Sequence, residues 1–145
     1  MAERSTPSAP AAPSSTASGA GRILVTLYGI LALGASARAA VQLSTRFDEA
    51  PIAYLLSGFS AVVYVIATFA LGGSWRGARR VAWVAVGIEL VGVLVIGAFS
   101  LLVPEDFPQA TVWSEFGRGY LFVPLVLPVI GLWWLRRTGS TRSRA

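Results

Sequence analysis

Ile52-Ala-Tyr-Leu-Leu-Ser-Gly-Phe-Ser-Ala-Val-Val-Tyr-Val-Ile-Ala-Thr-Phe-Ala-Leu71 runs for 20 residues without a charge, with Asp48-Glu49-Ala50-Pro51 before it and Gly72-Gly73-Ser74 after it. A helix rises about 1.5 Å per residue, so the run matches the ~30 Å apolar core of a bilayer, and breakers stand at both ends. It reads as a membrane span. Outward from it, Val81 to Val103 gives 23 residues interrupted only by Glu89 and stopped by Pro104-Glu105-Asp106. On the other side, Ile23 to Leu43 is apolar except for Ser, Thr, Gln42 and Arg38. The last apolar run, Tyr120 to Leu135, has 16 residues and contains Pro124 and Pro128. Each proline removes a backbone donor and crowds the preceding turn, so this helix is expected to be short or kinked. The pattern predicts an all-α polytopic membrane protein. Its four transmembrane helices, at 23–43, 52–71, 81–103 and 120–135, form an antiparallel bundle within a domain of residues 22–137.

Composition points the same way. The chain of 145 residues (15.3 kDa) is 54% hydrophobic with a mean hydropathy of +0.65, and its 13% charged residues are half the share usual in a soluble domain. All 12 basic residues are arginine, which fits the codon bias of a GC-rich genome better than a functional preference. Cys and His are absent. That excludes disulfides, thiol nucleophiles, Cys/His metal sites, His haem ligands and His general bases. With the acids confined to loops and the N-terminal tail apart from Glu89, neither a nucleophile with its base nor a metal ligand set is present, so no enzyme activity and no cofactor are expected. Met1 to Gly21 is almost entirely Ala, Ser, Thr, Pro and Gly and cannot bury enough apolar surface to offset its ordering entropy. It reads as a disordered tail, and residues 138–145 as a short basic one.

The arginines set the orientation. Arg4 and Arg22, then Arg76, Arg79 and Arg80, then Arg136, Arg137, Arg142 and Arg144 lie on one side, nine of the 12. The other two connections hold Arg46 and Arg118 together with Asp48, Glu49, Glu105, Asp106 and Glu115. By the positive-inside rule both termini are cytoplasmic, in a multi-pass protein of the plasma membrane. The pI of 10.7 then reflects topology-setting arginine, with attraction to anionic lipid as a by-product. Nothing supplies a nucleic-acid-binding patch, so the bilayer is the expected partner. Arg22, the apolar core Ile23 to Leu33 and Gly34-Ala35-Ser36-Ala37-Arg38-Ala39-Ala40 also resemble a cleavable secretory signal. The long polar leader and the hydrophobicity resuming beyond the site argue against cleavage.

Glu89 is the one acid inside a span, about 12 Å deep when counted from Val81. A carboxylate there costs at least ~2.5 kcal/mol and must be protonated, paired or hydrated. Ala82, Ala85, Gly92 and Gly97 lie near its face, so it points into the bundle, where another helix approaches closely. Tyr64 falls at about the same depth and Tyr28 slightly shallower, so one phenol can hydrogen-bond the carboxyl. The structural reading, a neutral Glu89 clamped by a tyrosine, is preferred over a proton- or cation-binding carboxyl. Arg38 is expected to snorkel outward to Asp48, Glu49, Glu105 or Asp106, because Glu89 lies too deep for it. Small residues recur at Ala32, Ser36 and Ala40 and at Ala53, Ser57 and Ala61, which lets the first two helices pack closely.

The longest connection, Pro104 to Tyr120, carries Trp113, Glu115, Phe116 and Arg118. The aromatics suit the headgroup region, and Glu115 can pair with Arg118 at i, i+3 if one helical turn forms. An interfacial re-entrant turn is preferred over an acidic, aromatic contact surface for an outer partner. Trp133-Trp134-Leu135-Arg136-Arg137 reads as an anchor at the inner interface.

Ala53-Tyr-Leu-Leu-Ser57, Tyr64-Val-Ile-Ala-Thr68, Arg79-Arg80, Glu89-Leu-Val-Gly-Val93, Val112-Trp-Ser114 leading into Gly119-Tyr120, and Val123-Pro-Leu-Val-Leu-Pro128 resemble a group of small actinobacterial four-span integral membrane proteins. The resemblance covers the chain from about Ile23 to Arg137. It implies a plasma-membrane location and supplies no catalytic residue. Two functions follow as expectations: an accessory or scaffolding subunit for a membrane-protein partner, or a small oligomeric proton- or cation-linked transporter or channel using Glu89 beside the proline-rich fourth helix.

Overall fold

A computed structural model describes residues 15–140. Both the first fourteen residues of the expected disordered tail and residues 141–145 of the basic tail lie outside the described residues. The elements in order are α1 (Ser15–Thr45), a 3₁₀ turn at Phe47–Glu49, α2 (Pro51–Gly72), α3 (Ala78–Leu102), a second turn at Pro104–Asp106, a 3₁₀ segment at Ser114–Tyr120, and α4 (Val123–Ser140). Among the described residues there is no strand. Helices α1, α2 and α3 are each long and apolar enough to cross a membrane, and the segment at Ser114–Tyr120 and α4 pass that test only together, as a pair bent by 99°, which makes three spans or, with the pair taken as one, four. The protein is an all-α, multi-pass membrane protein, as the hydropathy pattern predicts.

The faces explain the packing. α1 lies on α2, α2 on α3 and α3 on α4, and α4 closes back onto α1. Ala53, Ser57 and Ala61 of the expected small-residue stripe are buried, in line with Tyr64 and Ala67. On α1 the buried stripe is Leu24, Tyr28, Ala32, Ala35 and Ala39, whereas Ala40 of the expected stripe is exposed. Steps of four drift around a helix by about 40° each, and alternating steps of four and three cancel the drift and keep a face on its neighbour. Outward, Ile30, Leu33, Val62, Phe69, Val91 and Leu102 are exposed apolar side chains, an arrangement suited to lipid and hostile to water.

Three boundaries differ from the sequence reading. α1 begins at Ser15 rather than Ile23. Pro13 is the last proline before Pro51, and lengthening an existing helix is far cheaper than nucleating one. Packing helps as well: a Cβ on Gly21 would come within 2.8 Å of the Trp134 ring, so α1 lies directly on α4 at that glycine. α3 starts at Ala78, which places Glu89 about 17 Å along its helix instead of 12 Å. α4 runs on through Pro128 to Ser140 instead of ending at Leu135. Pro124 sits in the first turn, where its missing N–H has no helical partner to lose, and Pro128 forfeits only its bond to the Pro124 carbonyl. The break falls before the helix, at Leu121 and Phe122, whose φ of 56° and 59° is left-handed. Each costs about 1–2 kcal/mol for a residue with a side chain.

The connection between α3 and α4 turns back into the bundle. A Cβ on Gly92 would lie 2.5 Å from the Trp113 ring, and one on Gly97 would lie 2.6 Å from Phe116. The close approach expected at these glycines is therefore made by a loop and not by a helix. Gly92→Ala is expected to lower stability by about 1–3 kcal/mol by displacing Trp113. Gly87→Ala, with nothing within 4 Å of the new Cβ, should be neutral or stabilising by up to ~1 kcal/mol. Thermal unfolding of the detergent-solubilised variants checks the order; equal melting temperatures would rule out the seated indole.

Candidate functional site

The intramembrane polar residues converge from four separate segments. Glu89 of α3 is fully buried, and its Oε2 accepts a hydrogen bond from the Tyr28 hydroxyl of α1 at 2.6 Å. Tyr64 of α2, also fully buried, accepts the Trp113 indole N–H at 3.0 Å. An indole only donates, so the Tyr64 hydroxyl keeps its own hydrogen for the Glu89 carboxyl that it faces. The rings support this order. Tyr28 and Tyr64 lie 6.2 Å apart, Tyr64 and Trp113 meet edge-on at 6.4 Å, and Phe59 closes on the other side of Trp113 at 5.9 Å. Tyr28, Glu89, Tyr64 and Trp113 thus link α1, α3, α2 and the returning loop.

The same loop is fastened by a second group of small polar residues. Ser100 of α3 donates to the Gly97 carbonyl at 2.9 Å and accepts the Glu115 backbone N–H at 2.8 Å. Thr111 and Ser114 cap each other reciprocally, the Thr111 N–H to Ser114 Oγ at 2.9 Å and the Ser114 N–H to Thr111 Oγ1 at 3.1 Å. These bonds hold Glu115, Phe116 and Gly117 in three successive left-handed conformations, with φ of 49°, 59° and 81°. That turn is what brings Trp113 and Phe116 inward and leaves Glu115 and Arg118 outward.

The expected site residues divide accordingly. Tyr28 and Glu89 meet as the depth argument allows, and Tyr64 stands directly beside them while holding the Trp113 indole. Arg38 does not reach Asp48, Glu49, Glu105 or Asp106; its Nη2 donates to the Ala110 carbonyl at 2.5 Å. The carbonyl is closer because the loop folds back over α1, and irregular backbone at that depth needs a donor. Of the expected outer contact surface, Trp113 is buried and Phe116 half-buried, so the indole faces the bundle and not an outer partner. Glu115 and Arg118 do pair, at 2.9 Å, in the one salt bridge among the described residues. At the other end Arg137 stacks 4.3 Å over the exposed Trp133 ring, as an interfacial anchor would, whereas Trp134 packs inward against Gly21. Sequence reasoning missed the tie between Trp113 and Tyr64. The available signal was the pair Gly92 and Gly97 beside a connection too long for a simple helical hairpin.

Chemically the arrangement holds a hydrogen between a phenol and a carboxyl. Among the described residues no three acidic side chains come together as a metal-binding group. Comparison with known proteins finds no family model, no curated protein and no solved structure that matches this chain.

Removing one partner from a buried hydrogen bond leaves the other unsatisfied. Tyr28→Phe should therefore cost about 1–3 kcal/mol, and Glu89→Gln, which keeps an acceptor for Tyr28, should cost less and accumulate in the membrane almost normally. Thermal unfolding with membrane yield measures both. A larger loss in Glu89→Gln than in Tyr28→Phe would mean that the charge, and not the acceptor, holds the helices.

Proposed function

We propose that the protein is a non-catalytic, multi-pass protein of the plasma membrane with both termini cytoplasmic, an accessory or scaffolding subunit for a membrane-protein partner or for its own homo-oligomer. One observation carries this reading: inside the bundle Tyr28 bonds Glu89 and Trp113 bonds Tyr64, tying the helices and the loop together, while the outward side chains of the helices are largely apolar. Such a bundle offers surface to a neighbouring helix. The lack of Cys and His supports a non-enzymatic role, and the distribution of arginine supports the orientation. The resemblance to small actinobacterial four-helix membrane proteins supports the location. On the outer side, the exposed Glu115–Arg118 pair is the polar feature a partner would meet.

A second reading, a small oligomeric proton- or cation-linked transporter or channel, is favoured by one feature. Glu89 Oε1 is buried without a hydrogen-bond partner. Intramembrane carboxyls of this kind mark ion pathways in other architectures.

Gentle detergent extraction of the tagged protein, followed by mass spectrometry of what co-purifies, separates the two. A stoichiometric partner is expected. A partner-free homo-oligomer that conducts protons or cations in liposomes, with flux abolished in Glu89→Gln, would overturn the subunit reading. Orientation is tested in the naturally cysteine-free chain with Ser74→Cys and Gln109→Cys: a membrane-impermeant maleimide applied to intact cells should label the second and spare the first.

A further inference from the structure

Two clefts of opposite character meet at one residue. At the end of the bundle where α3 begins, Arg76, Arg79, Arg80 and Trp83 line an open cleft of about 760 Å³. From Trp83 an almost wholly apolar groove of about 590 Å³ continues between α2 and α3, walled by Leu56, Phe59, Gly87 and Val91 and closed by Trp113. Trp83 borders both. Arg80, Val84, Gly87 and Val91 follow one another at helical spacing, so the charged and apolar parts lie along one face of α3. The groove extends from Trp83 to Val95, about 18 Å at 1.5 Å per residue, against about 15 Å for one leaflet of the hydrocarbon core.

The charges at the mouth are available. Arg79 is held by α4, donating to the Thr138 hydroxyl at 3.1 Å. Arg76 and Arg80 are exposed, and among the described residues no acidic side chain pairs with either. Guanidinium groups bind phosphate through paired N–H donors, and basic pockets at the ends of membrane helices recognise anionic headgroups. Gly87 widens the groove where a side chain would fill it, since a Cβ there meets nothing within 4 Å.

We infer that this face is a binding site for one anionic phospholipid, its phosphate between Arg76 and Arg80 and one acyl chain laid along the groove from Trp83 to Trp113. Charge selects the headgroup and groove length selects a chain of single-leaflet depth. The site is independent of whether the protein serves a partner or moves an ion. It also ties the lipid to the returning loop, because the indole that ends the groove is the one bonded to Tyr64.

The test uses the full chain in non-ionic detergent, incubated with equal amounts of phosphatidylglycerol and phosphatidylcholine carrying the same palmitoyl and oleoyl chains. Native mass spectrometry reads the lipid retained. Phosphatidylglycerol should bind about tenfold more tightly, and in Arg76→Gln/Arg80→Gln the preference should fall to within about twofold. Gly87→Leu, which fills the groove and leaves the arginines in place, should reduce retention of phosphatidylglycerol by about fivefold or more with an unchanged melting temperature. Equal retention of the two lipids by the native chain would overturn the site, as would a preference that survives the arginine substitutions or full retention in Gly87→Leu. A disulfide-linked dimer formed efficiently by Gly87→Cys in membranes would overturn it too, by showing that a second copy fills the groove.

Discussion

A carboxyl group in the middle of an apolar bundle constrains everything packed around it. Glu89 lies about 17 Å along α3 and is fully buried, and among the described residues no cationic side chain pairs with it. Burying such a group is tolerable only if neighbouring donors are held in place. Tyr28 must therefore lie opposite on α1, which sets the rotation of that helix and puts Ala32, Ala35 and Ala39 on its packed side. α2 is fixed by the same demand, since Tyr64 has to stand between Glu89 and Trp113.

The returning loop is the second consequence. Its backbone is irregular at a depth where unsatisfied groups are costly, so each exposed polar group needs a partner from the protein. Ser100, Arg38 and the reciprocal Thr111–Ser114 pair supply several of them. The left-handed residues Glu115, Phe116, Leu121 and Phe122 carry several kcal/mol of backbone strain between them. Seating Trp113 over Gly92 and Phe116 over Gly97 is what offsets that cost. Loop, glycines and tyrosine therefore form one unit, and a change in any of them is felt at Glu89.

Much of the architecture is legible in the sequence because a bilayer enforces length. The unbroken run Ile52–Leu71 and the proline stops at Pro51 and Pro104 place spans almost without reference to packing. The Glu115–Arg118 pair forms at the expected i, i+3 spacing, although across a left-handed turn and not the helical turn that the spacing suggests. The misplacements arise where spacing is silent. Tryptophan's preference for the headgroup boundary points Trp113 outward, yet the glycines of α3 seat it inside the bundle beside a hydrogen-bond acceptor. Depth alone points Arg38 to the outer acids, whereas the fold brings the Ala110 carbonyl to it.

The sequence by itself determined the solvent of this protein, the number of apolar runs, the placing of one acid inside a span and the absence of thiol and imidazole chemistry. Those properties depend on composition and on rise per residue, both of which can be counted. Tertiary structure alone decided which tyrosine donates to Glu89, that a loop occupies the glycine notches, and that Arg76 and Arg80 open onto a groove of one-leaflet length. Each is a meeting of side chains far apart in the chain, set by the rotation of helices about their axes and by left-handed backbone that no hydropathy pattern encodes.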